Sequence, residues 1–168
     1  GQESVFNNSA EGICRLEHIT AQGAIAKGLQ SSINDVSITN DGLISIQTEG
    51  EDLRCIDLVG NNTSFINRGN LDITGGRFAM DLRGIDSFLN EGNINISGQQ
   101  NIGINARGAI VIENTGNWTL SNGSVSSALR LTSQGEPTQF TNWGILTIEN
   151  YLLANSQDRA IFQDNGVY

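Results

Sequence analysis

Short bursts of alternating apolar and polar residues recur along this chain, each with the same neighbours in the same order. Ile44-Ser45-Ile46, Leu71-Asp72-Ile73, Ile94-Asn95-Ile96, Trp118-Thr119-Leu120 and Leu146-Thr147-Ile148 each place one polar residue between two large apolar ones. A period of two belongs to a half-buried strand. A slip of one residue would turn every such pair toward water, so the register is strongly specified. Four residues before the first apolar member of each pair stands the Asn of an Asn-x-Gly motif: Asn40, Asn67, Asn90, Asn114 and Asn142. Two residues earlier still come Ile38, Phe65, Phe88, Ile112 and Phe140. Every copy therefore predicts a strand, a tight corner and a second strand. Gly can take positive φ and Asn tolerates the left-handed region, so both suit the corner.

The copies are 27, 23, 24 and 28 residues apart. Hairpins would give successive copies no reason to share a register, whereas stacking each copy on the last pairs identical strands in parallel at about 4.8 Å. A third apolar segment completes each turn: Cys55–Leu58, Phe78–Leu82, Ile102–Ala106, Ala128–Leu131 and Ala160–Phe162, with a register that drifts. Gly60, Gly84, Gly108, Gly135 and Gly166 follow these segments. The reading is an all-β, right-handed, single-stranded parallel β-helix of about five coils of 23 to 28 residues. Residues 1–32 form an atypical capping coil, in which Phe6-Asn7-Asn8 is a degenerate copy and Gly23–Gly28 resembles a third strand. Residues 33–168 form the regular coils of the same single domain. The five recurrent Asn side chains are expected to bond to one another as a ladder inside the corner, a structural role that needs no ligand.

Composition narrows the function. The 168 residues suffice for one domain, and the 38% hydrophobic content suits a solenoid with one narrow core. A net charge of −9 speaks against nucleic acid, which needs Lys and Arg to displace its counterions. No apolar run approaches the roughly 20 residues of a membrane span, so no membrane insertion of this segment is expected. Without a signal peptide, the chain reads as a mature or excised segment. Cys14 and Cys55 are either two unrelated thiols or one disulfide joining the N-terminal segment to the first full coil. His18 stands alone and no metal-ligand spacing is present, so neither metal nor cofactor is expected.

The pattern [FI]-x-Asn-x-Gly-x-x-[IL]-x-[IL] resembles the passenger domains of Gram-negative autotransporters and related type V secreted adhesins, over residues 33 to 166. The resemblance implies a secreted passenger at the outer surface of a bacterium. Its implied role is virulence-related adhesion to a host-cell receptor, glycans or other bacteria through self-association, or the rigid stalk of a longer adhesin. Loops that interrupt the repeat are the candidate contact surfaces: Thr48–Arg54 and Tyr151–Arg159, with Trp143, Tyr151, Leu152 and Arg159 as a possible binding loop; the apolar Tyr151, Leu152 and Leu153 are either a contact patch or, as the better reading, an internal plug. The runner-up is a carbohydrate-active β-helix, whether polysaccharide lyase, glycosidase or tailspike-like. Its stacked candidates are Asp57 with Asp81 and Arg83 with Arg107. The row continues as Asn105 and Arg130, so a solvated, charge-paired face is expected there and no enzyme. An ice-binding array of Thr119 and Thr147 is spoiled by Ser45, Asp72 and Asn95.

Overall fold

The computed structural model describes residues 4–19, 27–48, 54–98, 102–121, 124–125, 127–132, 138–149, 152–153 and 161–164. Its strands form three parallel sheets of six, and each turn of the chain adds one strand to each sheet. The result is a parallel β-solenoid, and among the described residues there is no helix. The first sheet contains Ser4–Asn8, Val36–Asn40, Thr63–Asn67, Ser87–Asn90, Val111–Asn114 and Gln139–Asn142. The second contains Ile13–Ile19, Leu43–Thr48, Asn70–Thr74, Asn93–Ser97, Asn117–Ser121 and Ile145–Glu149. The third contains Lys27–Ser31, Arg54–Val59, Phe78–Arg83, Ile102–Arg107, Ser127–Thr132 and Ile161–Asp164. Six layers at about 4.8 Å rise roughly 24 Å from first to last.

Alternation along the first two strands of each turn sends the predicted apolar residues inward. Ile44, Leu71, Ile94 and Trp118 stack in one column, with Ile46, Ile73, Ile96 and Leu120 in the next. The first sheet contributes Ile38, Phe65, Phe88 and Ile112, all buried. Where this column carries the smaller Ile112, the second sheet carries the larger Trp118. Its ring fills the gap between Phe88, at 5.8 Å, and Phe140, at 5.9 Å. Phe65 meets Phe88 edge-on at 5.1 Å. Two large residues in one layer would overfill a close-packed core, and two small ones would leave a void.

The corner after the first strand is held by side chain and backbone together. Asn8, Asn40, Asn67, Asn90 and Asn114 each donate Nδ2 to Oδ1 of the next Asn, at 2.6 to 2.7 Å. The same amides donate to the carbonyls of Leu43, Asn70, Asn93, Asn117 and Ile145. The central members are wholly buried, so these bonds meet the hydrogen-bonding need of groups that water cannot reach. The motif glycine has a different reason from the one its conformation suggested. Gly42, Gly69, Gly92, Gly116 and Gly144 do not take positive φ. A Cβ on Gly92 would lie 2.2 Å from the carbonyl oxygen of Gly69, and each of the others meets the glycine below it in the same way. Backbone contact between layers excludes a side chain there.

The N-terminal turn is a full layer with an insertion at this corner. Phe6 pairs with Ile38 and Asn8 with Asn40, so the degenerate copy stands in register. The glycine is Gly12 rather than residue 10, and the two extra residues are absorbed in a turn closed by Gly12 N–H donating to Ser9 O. Cys14 and Leu16 then fall beneath Ile44 and Ile46. The third strand is Lys27–Ser31, with Leu29 beneath Ile56; residues 23–26 of the expected strand lie outside the described residues. The apparent drift of the third segment also disappears, since Ile56, Met80, Ile104, Leu129 and Ile161 occupy one column.

Candidate functional site

The length variation between turns falls mainly at the second corner, between the second and third sheets. The first corner holds two residues in every turn from Asp41-Gly42 onward. The second holds 49–53, 75–77, 98–101, 122–126 and 150–160 in successive turns. Strands Ser124–Val125 and Leu152–Leu153 pair in parallel as an extra two-stranded sheet on this corner. Both loops singled out from the sequence therefore belong to one corner. Trp143 does not join them: it occupies the middle of the first corner, 76% exposed. Tyr151 and Arg159 lie outside the described residues, and of Leu152 only the backbone pairing is described.

The third sheet adjoins that variable corner and carries the most concentrated chemistry. Its outer row runs Gln30, Asp57, Asp81, Asn105, Arg130. Strand alternation points Asp57 and Asp81 away from the core, as expected, but they are not solvated. Both are 0% exposed, because arginines from neighbouring positions lie over them. Arg54 Nη1 reaches Asp81 Oδ2 at 2.9 Å and Asp57 Oδ1 at 3.6 Å. Arg83 Nη2 donates to Asp57 Oδ1, and its Nε lies 3.4 Å from Asp81 Oδ2. Arg107 Nη2 bridges the two oxygens of Asp81 at 3.3 and 3.4 Å, and Asn105 Nδ2 donates to Oδ1 at 2.8 Å. Two carboxylates withdrawn from water require this degree of pairing.

Above the carboxylates opens a concavity of about 460 Å³, lined by Arg54, Arg77, Phe78, Ile102, Arg107 and Arg130 among others. Arg54 and Arg77 flank the Phe78 ring, with guanidinium carbons 5.6 and 5.5 Å from its centroid, a cation–π arrangement. Five of the chain's eight arginines (54, 77, 83, 107 and 130) gather on this sheet or its edge. Three of them, Arg54, Arg83 and Arg107, pair with Asp57 and Asp81, in a chain whose net charge is −9. The carboxylates are closed off, and Arg54, Arg77, Arg107 and Arg130 line the opening. Arg83 and Arg107 are visible in the sequence as a stacked pair. Arg130 is visible as the end of the aspartate row, whereas Arg54, Arg77 and Phe78 join them only once the loop lengths of the second corner are absorbed and the strands aligned.

The exposed arginine of the first corner behaves differently. Arg68 spans Asp41 at 3.1 Å and Glu91 at 2.9 Å, and these two carboxylates raise its pKa. That ladder is balanced toward negative charge and frames no concavity.

The disulfide considered between Cys14 and Cys55 is not formed, and both are free thiols. Cys14 is half-buried in the second sheet, paired with Ile44, whereas Cys55 starts the buried part of the third. Cys55 Sγ lies at the inner side of the second corner, 3.8 Å from Thr48 Oγ1 and 3.8 Å from Gly75 O. Burial pushes its pKa up to about 11, the contact with Thr48 opposing the shift. Among the described residues no three His, Cys, Asp or Glu side chains cluster as metal ligands, and no helix is long and apolar enough to cross a membrane.

No protein-family model, no curated protein and no solved structure matches the chain.

Proposed function

We propose that this chain is an adhesive module of a surface-exposed bacterial protein, a stiff solenoid that carries a recognition surface on one side. The observation that carries the reading is the division of labour between corners. The first corner repeats the same residues layer after layer and spends them on holding the stack. The second corner and the third sheet vary in length and composition, and there a concavity lined by arginines opens. A rigid frame with variable loops on one side is how solenoids build binding faces. Secretion to the outer surface of a Gram-negative cell belongs to the same reading. So do a host-cell receptor, a glycan or another bacterium as partner, and service as part of a longer stalk.

A carbohydrate-active enzyme would use the same face, and the Asp57–Asp81 row is what would recommend it. Acid–base work on a glycosidic bond needs carboxyl groups that reach the substrate. Asp57 and Asp81 are wholly buried beneath guanidiniums, a placement that favours holding arginines over touching a sugar.

The test is binding of the purified chain to host epithelial cells and to a glycan array, with light scattering on the eluting species. Saturable binding by a folded monomer supports the module. A folded monomer that binds neither cells nor any glycan removes adhesion from this segment, and turnover of a polysaccharide would replace it with the enzymatic reading.

A further inference from the structure

We infer that copies of this chain stack head to tail, the Asn142 end of one solenoid seated on the Asn8 end of the next. The partner is a second copy, and the surfaces are separate from the third-sheet concavity, so the inference goes beyond the adhesive reading.

The Asn ladder gives the direction. Every link runs the same way, Nδ2 of one layer donating to Oδ1 of the next, from Asn8 to Asn142. The next-layer carbonyl that each amide also meets fixes its orientation. Among the described residues this leaves an acceptor, Asn8 Oδ1, at the first layer and a donor, Asn142 Nδ2, at the last. Asn142 Nδ2 donates to Gly144 O of its own corner at 3.2 Å. The corner backbone has the same polarity, since Leu43, Asn70, Asn93, Asn117 and Ile145 each donate N–H to the glycine one layer before. Seated on a second copy, Asn142 Nδ2 meets Asn8 Oδ1 and Ile13 O, and Gly144 O accepts from Ile13 N–H. Contact head to head would set acceptor against acceptor, and tail to tail donor against donor.

The outward-facing rows change character at the same two ends. One row of the second sheet runs Ile13, Leu43, Asn70, Asn93, Asn117, Ile145. One row of the first runs Val5, Ser37, Ser64, Ser87, Val111, Gln139. Their middle layers are polar, whereas Val5, Ile13 and Ile145 are 69, 65 and 62% exposed. With Trp143 they make up four of the six large apolar side chains exposed among the described residues. Apolar residues scattered singly need no explanation, but their gathering on the first and last layers does. In the joint Ile145 lies against Ile13, with Leu43 beyond it. Phe140, Leu146 and Ile148 carry the core columns onto Phe6, Cys14 and Leu16, all six only partly buried in a single copy. A concavity of about 250 Å³, lined by Phe6, Leu29 and Ile33 among others, adds apolar surface at the receiving end. Such a joint is heterologous and does not close, so copies add one after another.

The experiment is sedimentation velocity on the whole chain over a concentration series reaching about millimolar. Expected is an open-ended series of species that grows with concentration. It should also grow with added salt, because copies of net charge −9 repel one another. Ile13→Lys at one end and Ile145→Lys at the other should each weaken association at least about tenfold, with circular dichroism unchanged. Val5→Lys takes the place of Ile13→Lys if that variant fails to fold. Mixed together, the two end variants should form a one-to-one pair and stop there, since each keeps the end that the other lacks. Asn93→Lys, in the same row at mid-stack, should associate as the parent does. A chain monomeric throughout, a closed dimer, equal association of the parent and Ile145→Lys, or end variants that do not pair would overturn the inference. So would loss of association in Asn93→Lys, which would assign the contact to the sheet face. Cell binding by a chain that never associates would sink the stack and leave the adhesive reading standing, and association without cell binding would do the reverse.

Discussion

The first and second corners of this solenoid each turn the chain from one sheet to the next, yet they are built on opposite principles. At the first, Asn and Gly recur because each contacts its own copy in the next layer: amide to amide, and glycine to the carbonyl beneath it. Any change there is felt by two neighbours. At the second, the layers need only deliver Ile56, Met80, Ile104 and Leu129 to the core column, and the loop between can be long or short. The difference teaches where a repeat protein is free to acquire function. Positions that touch their own copies are locked by symmetry, and positions that touch solvent or another kind of residue are not.

That contrast predicts a ranking of damage. The largest loss should come from Gly92→Ala, which places a methyl group 2.2 Å from the Gly69 carbonyl oxygen with only backbone to give way. Overpacking against backbone should cost at least about 3 kcal/mol, read as the shift of a urea midpoint followed by far-ultraviolet circular dichroism. Next comes Asn90→Ala. It removes the links to Asn67 and Asn114 and strands a buried acceptor and a buried donor, a loss of about 2 to 4 kcal/mol in the same assay. If Asn90→Ala unfolds no more easily than the parent, the ladder is not what holds the corner.

A smaller and pH-dependent effect is expected from Cys55 at the second corner. Its thiol ionises near 9.0 when free and near 11 in the fold, so the fold favours the protonated form. The associated stability is complete below about pH 9 and is lost as pH rises through 11. Between those limits the parent should lose about 2 to 3 kcal/mol more than Cys55→Ala, at about 1.4 kcal/mol for each tenfold change in ionisation. Parallel curves for the two proteins would contradict the burial argument. Smallest of all, Arg68→Ala should leave the midpoint unchanged within error at physiological salt, since exposed ion pairs contribute little. A measurable loss there would mean that the charged ladder, and not only the Asn-Gly pair, holds the first corner.

The legible part of the molecule is the part that repeats. Alternation around Ser45, Asp72, Asn95, Thr119 and Thr147 places the second-sheet strands, and the recurring Asn places the ladder. Phe6 and Asn8 are recognisable as a degenerate copy, but Cys14 and Leu16 are not, because two extra residues before Gly12 hide the spacing. The arginine site is legible only in fragments. Arg54 and Arg77 flank the same ring from different turns, a relation that depends on how residues 75–77 are absorbed at the corner. Solvation of Asp57 and Asp81, which alternation suggests, fails for a related reason. Alternation tells which side of a sheet a residue occupies, but not whether long side chains from adjacent layers close over it.

By itself, the sequence determined the strand pattern, the parallel stacking and the Asn ladder, because each follows from a residue meeting its own copy one layer away. Tertiary structure decided the rest: that motif glycines serve backbone contact rather than left-handed turns, that Cys14 and Cys55 stay apart, and that three arginines close over two buried carboxylates. Those outcomes depend on contacts between unlike residues across turns of unequal length, and no period in the sequence encodes them.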